Sequence, residues 1–122
     1  MIEIIDYADE YANDFKKLNL EWLDKYNLTE THDLEIINDP KGMILDHGGY
    51  IYLAKSGNTI VGSAAIVKEG DRIYELVKMA VTAAFQGKGI SRLLIEKCLD
   101  KVKELKATRI FLYSNSQLTT AI

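Results

Sequence analysis

The stretch VTAAFQGKGISRLL, residues 81–94, decides the fold because it joins an apolar run to a helical pattern through two glycines. Glycine has no Cβ, so Gly87 and Gly89 permit positive φ and a close approach of a ligand to the backbone. The first turn of a following helix carries N–H groups without internal partners, and the helix dipole also favours an anion such as a phosphate. Lys88 adds positive charge. The same glycines also fit a strand-to-helix turn without a ligand, and both interpretations stay open at this point.

The residues before this stretch predict three strands in succession, at 50–55, 59–68 and 72–81. Short connections that contain glycine separate them, which is typical of antiparallel hairpins. After the glycines, residues 89–105 carry an apolar stripe at helical spacing that includes Cys98, and we interpret this cysteine as a core residue.

Residues 109–114 then predict one more strand, and a strand, helix and strand of this length imply a right-handed parallel crossover. In the N-terminal part, residues 2–6 predict a strand, 8–26 an amphipathic helix and 29–38 a second helix that ends before Pro40. The fold class is therefore α+β with a mixed, mostly antiparallel sheet flanked by helices, in a single domain over residues 1–122.

Composition excludes several classes of protein. The chain has 122 residues, 48% of them hydrophobic and 27% charged, which is typical of one globular domain. A net charge of -3 argues against a nucleic-acid-binding protein. A single cysteine excludes an internal disulfide, and no Cys/His cluster has zinc-ligand spacing. No stretch approaches the roughly 20 apolar residues of a membrane span or has the pattern of a signal peptide. We expect a cytoplasmic protein without a metal.

The loop does not match the common nucleotide motifs. A nucleoside-triphosphate loop would need G-x-x-x-x-G-K-[ST], and Arg92 replaces the third glycine of a dinucleotide fingerprint. Instead, Gln86-Gly87-Lys88-Gly89-Ile90-Ser91 resembles the [RQ]-x-x-G-x-[GA] signature of the GNAT superfamily of acetyl-coenzyme A-dependent N-acetyltransferases, with serine as the final small residue. The resemblance extends over nearly the whole chain, because the strands on both sides of the loop follow the order of that family.

The resemblance implies an acetyl-coenzyme A site. The backbone of Met79, Ala80 and Val81 would pair with the pantetheine arm like an added strand. Gln86 would shape the turn, and Asn115 corresponds to a position close to the coenzyme in the family, although it also fits a helix cap. The pyrophosphate would be held by amides of Gly87, Lys88, Gly89, Ile90 and Ser91, with side-chain contacts from Ser91 and Arg92.

Acetyl transfer to an amine requires a group that removes a proton from an alkylammonium whose pKa is near 10. Glu75 is the candidate base, since strict alternation would place it on one strand face with Val77, Met79 and Val81 and desolvation there would raise its pKa. An exposed carboxylate at the start of the strand is the alternative. The backbone N–H of Val81 is the candidate donor to the oxyanion.

The resemblance also implies a C-terminal helix with a tyrosine that acts as general acid, followed by two strands, and this sequence carries neither. We therefore expect a truncated or degenerate member with little activity in this form. The apolar strand 109–114 would expose an edge, which predicts a homodimer. The alternatives to an enzyme are a protein that binds coenzyme A without turnover and a structural or regulatory homologue. The acceptor would be a small-molecule or peptide amine that the sequence does not identify.

Overall fold

The computed structural model describes the backbone of residues 2–25 and 31–112, and the side chains of these residues except 22–25, 31–33 and 112. Within this part of the chain, five strands form one sheet in the order β1-β2-β3-β4-β5. Neighbouring strands are antiparallel except β4 and β5, which are parallel, so the predicted α+β class with a mixed sheet is confirmed. The strands are β1 Ile2–Asp6, β2 Tyr50–Ser56, β3 Thr59–Gly70, β4 Ile73–Val81 and β5 Arg109–Leu112.

Four α-helices accompany the sheet in the described residues: α1 Ala12–Lys25, α2 Thr31–Asn38, α3 Pro40–Met43 and α4 Ile90–Glu104. A 3₁₀ turn, Asp9–Tyr11, precedes α1, so the predicted helix begins later than residue 8. The short helix α3 was not predicted. It forms because proline needs no N–H partner at a first helical position and because the Asp39 carboxylate accepts a hydrogen bond of 3.1 Å from the Gly42 N–H.

The sheet buries a separate apolar layer on each face, because side chains alternate along a strand. On one face α4 covers the sheet, and on the other α1 and α2 do; we call these the α4 side and the α1 side. The α4 side includes Tyr52, Ala64, Leu76, Val81, Leu94, Cys98 and Val102, and the α1 side includes Phe15, Leu18, Ile37, Ile51, Leu53, Ala65 and Ala80.

No helix in the described ranges is long and apolar enough to cross a membrane.

Cys98 lies in the middle of α4 at 0% exposure, which confirms its assignment to the core. Burial raises the pKa of its thiol to about 12. The thiolate is the nucleophilic form of cysteine, so this side chain has no catalytic use at neutral pH.

The predicted parallel pairing of β4 with β5, connected through α4, is also confirmed. The parallel register runs from Ile73 opposite Arg109 to Leu76 opposite Leu112. The Thr108 N–H donates to the Arg72 carbonyl at 2.8 Å and closes the start of the pair. Residues 113 and 114, the predicted end of this strand, lie outside the described residues.

The regular alternation of β4 is broken by a bulge at Lys78. Val77 pairs with Ala65 and Ala80 pairs with Ser63, so two residues of β4 oppose a single residue of β3. Lys78 adopts a φ of 53°, which allows the extra residue.

The bulge exchanges the faces of the second half of the strand. Val77 and Ala80 lie on the α1 side, whereas Met79 and Val81 lie on the α4 side. The expectation that Glu75 shares a face with Met79 and Val81 is therefore wrong, because it assumed an unbroken strand. Glu75 shares the α1 side with Val77 and Ala80.

Candidate functional site

The turn between β4 and α4 presents open backbone to solvent. After a 3₁₀ turn, Ala83–Phe85, the chain passes through Gly87 at a φ of 77° and Gly89 at a φ of 80°. A Cβ atom on either glycine would have no heavy atom of the protein within 4 Å outside its chain neighbours. The left-handed conformation explains why glycine is needed here, and the empty space leaves room for a ligand against the backbone.

The N-terminus of α4 lies at the end of this turn. Gly89 is the N-cap, no side chain caps the helix, and its first turn contains no acidic residue. The first amides of a helix have no partner within the helix, and together with the dipole they attract an anion. Ile90 is buried against the sheet, which fixes these amides in place. The fold thus brings together the five residues from Gly87 to Ser91 that were predicted to hold a phosphate group.

Gln86 closes the turn onto the end of β4. Its Nε2 donates a hydrogen bond of 3.1 Å to the Val81 carbonyl. Thr82 in turn donates its N–H to the Val61 carbonyl at 2.9 Å. In an antiparallel ladder this bond turns the backbone groups of the preceding residue, Val81, away from β3. Gln86 therefore joins the glycine turn to the end of β4 at Val81.

Two cations flank the turn. The Lys88 Nζ lies 5.9 Å from the centroid of the Phe85 ring. The Arg92 Nε lies 3.1 Å from the Glu96 Oε1, and its side chain is 84% exposed. Such surface ion pairs contribute about 1 kcal/mol or less, so Arg92 can exchange this partner for a bound anion at little cost.

Glu75 is half-buried on the α1 side of β4. Burial is the main cause that raises the pKa of its carboxyl to about 7, and the hydrogen bond and charge of Glu69 raise it further, while Lys78 lowers it. A carboxyl with a pKa near neutrality can both accept and release a proton at the pH of the cell. The direction of this shift is the one expected from the sequence.

Glu21 is a residue near the turn that the sequence did not indicate. Its carboxylate oxygens accept hydrogen bonds of 3.0 Å from the Thr82 Oγ1 and of 3.0 Å from the Ala83 N–H. The acid thus ties α1 to the chain immediately before the glycines. An exposed glutamate on a helix carries no local signal of such a contact, since its partners are 61 and 62 residues away.

The last two predictions concern Asn115 and metal ligands. Asn115, predicted near the coenzyme, lies outside the described residues. Among residues 2–25 and 31–112, no three His, Cys, Asp or Glu side chains are grouped so that they could hold a metal ion.

Comparison with known proteins shows the family to which this chain belongs. The sequence profile of the acetyltransferase (GNAT) family matches residues 7–122. The chain is 31% identical over 98 residues to the uncharacterized N-acetyltransferase YvbK of Bacillus subtilis (strain 168), a match that covers 78% of this chain and 63% of that protein. This protein belongs to the GNAT acetyltransferase family. It spans less than two thirds of the length of that curated relative.

Solved structures agree on the fold. An acetyltransferase of the GNAT family from Staphylococcus aureus Mu50 superposes with a TM-score of 0.89 at 22% identity, covering 99% of this chain and 78% of the other. A predicted acetyltransferase from Clostridium acetobutylicum, determined with acetyl-CoA, superposes with a TM-score of 0.79 at 14% identity, covering 98% of this chain and 85% of the other. The predicted fold is thus confirmed by these structures, and the predicted family by the family profile and the Bacillus relative.

Proposed function

We propose that this protein is an N-acetyltransferase that transfers the acetyl group of acetyl-CoA to a primary amine. The observation that carries the proposal is the open glycine turn at the uncapped N-terminus of α4. A pyrophosphate is an anion of the size and charge that such a turn accepts. Because a Cβ would enter the open space at Gly87 and Gly89, the turn fits a ligand that lies against the backbone.

Each predicted residue has a place in this proposal. Gln86 holds the turn, and the side chains of Ser91 and Arg92 lie at the same helix end. The pantetheine arm follows the backbone of Met79, Ala80 and Val81, and Asn115 stays a predicted contact. The pyrophosphate is bound by amides of Gly87, Lys88, Gly89, Ile90 and Ser91.

Bound acetyl-CoA is a thioester: the acceptor nitrogen forms a bond to the acetyl carbon, the C–S bond breaks, and coenzyme A leaves as a thiolate that takes a proton from solvent. Glu75 lies six residues before Val81 on β4, roughly 15–20 Å along the strand, so it accepts through a relay of water molecules the proton that an alkylammonium must lose before it can attack. The acceptor approaches from the α1 side, since the Glu75 side chain lies on that side. The backbone N–H of Val81 donates to the acetyl oxygen as that oxygen gains negative charge. The bulge moves the Val81 side chain to the other face of the sheet, but a backbone N–H lies near the plane of the sheet, so this role stays possible.

Calorimetric titration with acetyl-CoA tests the coenzyme site, with pantetheine as the control because it lacks the pyrophosphate. We expect acetyl-CoA to bind and pantetheine to bind far more weakly. Release of the coenzyme thiol in the presence of a panel of primary amines then tests transfer, with the matching alcohols as controls. Absence of acetyl-CoA binding would refute the proposal, and binding without transfer to any amine would favour the coenzyme-binding alternative.

We also propose a homodimer located in the cytoplasm. Within the described residues, β5 is the last strand of the sheet, and Phe111 on this strand is 37% exposed. Aromatic residues are enriched in protein–protein interfaces, and the exposed part of the Phe111 ring can pack against a second copy of the chain. Sedimentation that shows a monomer at high micromolar concentration would refute the dimer.

A further inference from the structure

A hydrogen bond from β3 supports the β4 bulge. The Ser63 Oγ donates to the Lys78 carbonyl at 2.9 Å, and Ser63 is 0% exposed. A buried hydroxyl needs hydrogen-bond partners, and the carbonyl at the bulge is one partner of the Ser63 hydroxyl. This bond ties β3 to the residue at which β4 bulges.

The support continues from Ser63 to helix α1. The Asn19 Nδ2 donates to the Ser63 Oγ at 3.3 Å and to the Phe15 carbonyl at 2.9 Å, and Asn19 is 3% exposed. Asn19, Ser63 and the Lys78 carbonyl thus form a chain of hydrogen bonds that joins α1, β3 and β4, with Asn19 and Ser63 buried. We call this chain the bulge anchor. Removing the Ser63 hydroxyl would take one hydrogen bond from Asn19 and one from the Lys78 carbonyl.

The same helix holds the other end of the segment. Glu21 accepts hydrogen bonds from Thr82 and Ala83, directly after β4 ends. We call this contact the loop anchor. Helix α1 therefore fixes residues 78–83 at both ends, at the bulge through Asn19 and before the glycine turn through Glu21.

The anchored segment has an alternative conformation that the anchors disfavour. Without the bulge, β4 would continue in strict alternation, and a shift of one residue moves every later side chain to the opposite face. Met79 and Val81 would then turn to the α1 side, and Ala80 to the α4 side. The backbone edge proposed to bind the coenzyme would move with them.

We infer that Asn19, Ser63 and Glu21 are positioning residues, which keep β4 bulged and hold the backbone of residues 79–81 in its binding position. The geometry of the anchors is independent of any ligand. The consequence for coenzyme binding rests on the proposed function. A purely stabilising role would instead make these residues interchangeable with any other buried or surface contact of similar strength.

Hydrogen exchange measured by mass spectrometry on the intact protein separates the two roles. Ser63→Ala and Glu21→Ala break one anchor each, and Ile51→Val is the control because it removes one buried methyl group in β2 without touching either anchor. We expect exchange in a peptide covering residues 77–85 to be about tenfold faster in the anchor variants than in the control, with β1 and β2 unchanged relative to it. An increase spread evenly over the sheet would overturn the inference.

Affinity for acetyl-CoA provides the second measurement. We expect both anchor variants to bind about tenfold more weakly than Ile51→Val at a temperature where all are folded. Glu21→Gln should keep most of the acetyl-CoA affinity that Glu21→Ala loses. The glutamine amide oxygen can accept from the Ala83 N–H, and the Thr82 hydroxyl can rotate to accept from the amide N–H₂ group. Failure of this rescue, or equal affinity in all variants, would overturn the inference.

The two measurements also distinguish the inference from the proposed function. If the wild-type protein bound no acetyl-CoA, the proposed function would fail, while the exchange pattern would still decide whether the anchors hold the bulge. If Ser63→Ala did not fold, Glu21→Ala would decide the question, since Glu21 lies at the surface.

Discussion

Replacing Gly89 by alanine tests the proposed coenzyme site most directly, and the chain offers a matched control. Gly89 has a φ of 80° at the start of α4, and Gly57 has a φ of 62° in the hairpin between β2 and β3. A Cβ on either residue would meet no heavy atom within 4 Å apart from chain neighbours. The two substitutions therefore place a methyl group in similar backbone conformations, one at the proposed site and one far from it.

The expected loss of stability is similar for the two variants. A left-handed conformation costs a residue with a Cβ about 1–2 kcal/mol. Fewer conformations of the unfolded chain offset this by about 0.4–1 kcal/mol. The net destabilisation is thus about 0.5–1 kcal/mol, and we expect both melting temperatures to fall by about 2–4 °C.

Only Gly89→Ala should weaken coenzyme binding. Its methyl group would occupy the space against the amides that the pyrophosphate needs, and a hydrogen bond to a charged group contributes about 1.5–3 kcal/mol. Loss of one such bond corresponds to a roughly tenfold to hundredfold weaker affinity. Calorimetric titration with acetyl-CoA measures this change, and thermal melting without ligand measures stability.

The comparison between the two variants decides the result. Unchanged affinity in Gly89→Ala would refute the placement of the pyrophosphate at this turn. An equal loss of affinity in Gly57→Ala would show that general destabilisation, and not the position of the methyl group, weakens binding.

Three further predictions follow from the site. Glu75→Gln should lower turnover by a factor of about 10² or more, measured by steady-state kinetics, and leave the acetyl-CoA affinity measured by titration nearly unchanged. If the variant had the same pH-rate profile as the wild type, Glu75 would not be the base. The pKa of Glu75 is raised from 4.5 to about 7, so the folded state holds this proton more tightly, and wild-type stability should fall as pH rises through that interval. Thermal melts of Glu75→Gln should lack this contribution; a parallel pH dependence in both proteins would contradict it. Arg92→Ala should change the free energy of unfolding in urea by less than about 0.5 kcal/mol, because its partner Glu96 is exposed; a larger loss would reveal a structural role.

Local sequence patterns predicted most of the fold. The hairpins around β3 follow from glycine-containing connections between apolar runs, and the buried stripe of α4 follows from Leu94, Cys98 and Val102 at helical spacing. The glycine turn was predictable for the same reason, since a positive φ at Gly87 and Gly89 leaves a direct mark on the residue type.

The bulge and the anchors were not predictable in this way. The strand IYELVKMAV carries apolar residues on both faces whether it is read straight through or with an extra residue at Lys78, so alternation alone does not locate the bulge. Asn19 and Glu21 act on segments at least 44 residues away in the chain, and the sequence around them is that of an ordinary amphipathic helix. Contacts of this kind depend on how elements pack, which periodicity does not encode.

Because the Cys98 thiol is buried between α4 and the sheet, its reaction with a thiol reagent can measure how often α4 separates from the sheet. Because this is the only cysteine of the chain, a dye that reacts with thiols should detect released coenzyme A with almost no background from the folded protein. An alkylating reagent should label the protein only in molecules in which α4 has left the sheet. Since the same helix begins at the glycine turn, the degree to which acetyl-CoA slows this labelling gives a binding constant without an acceptor amine.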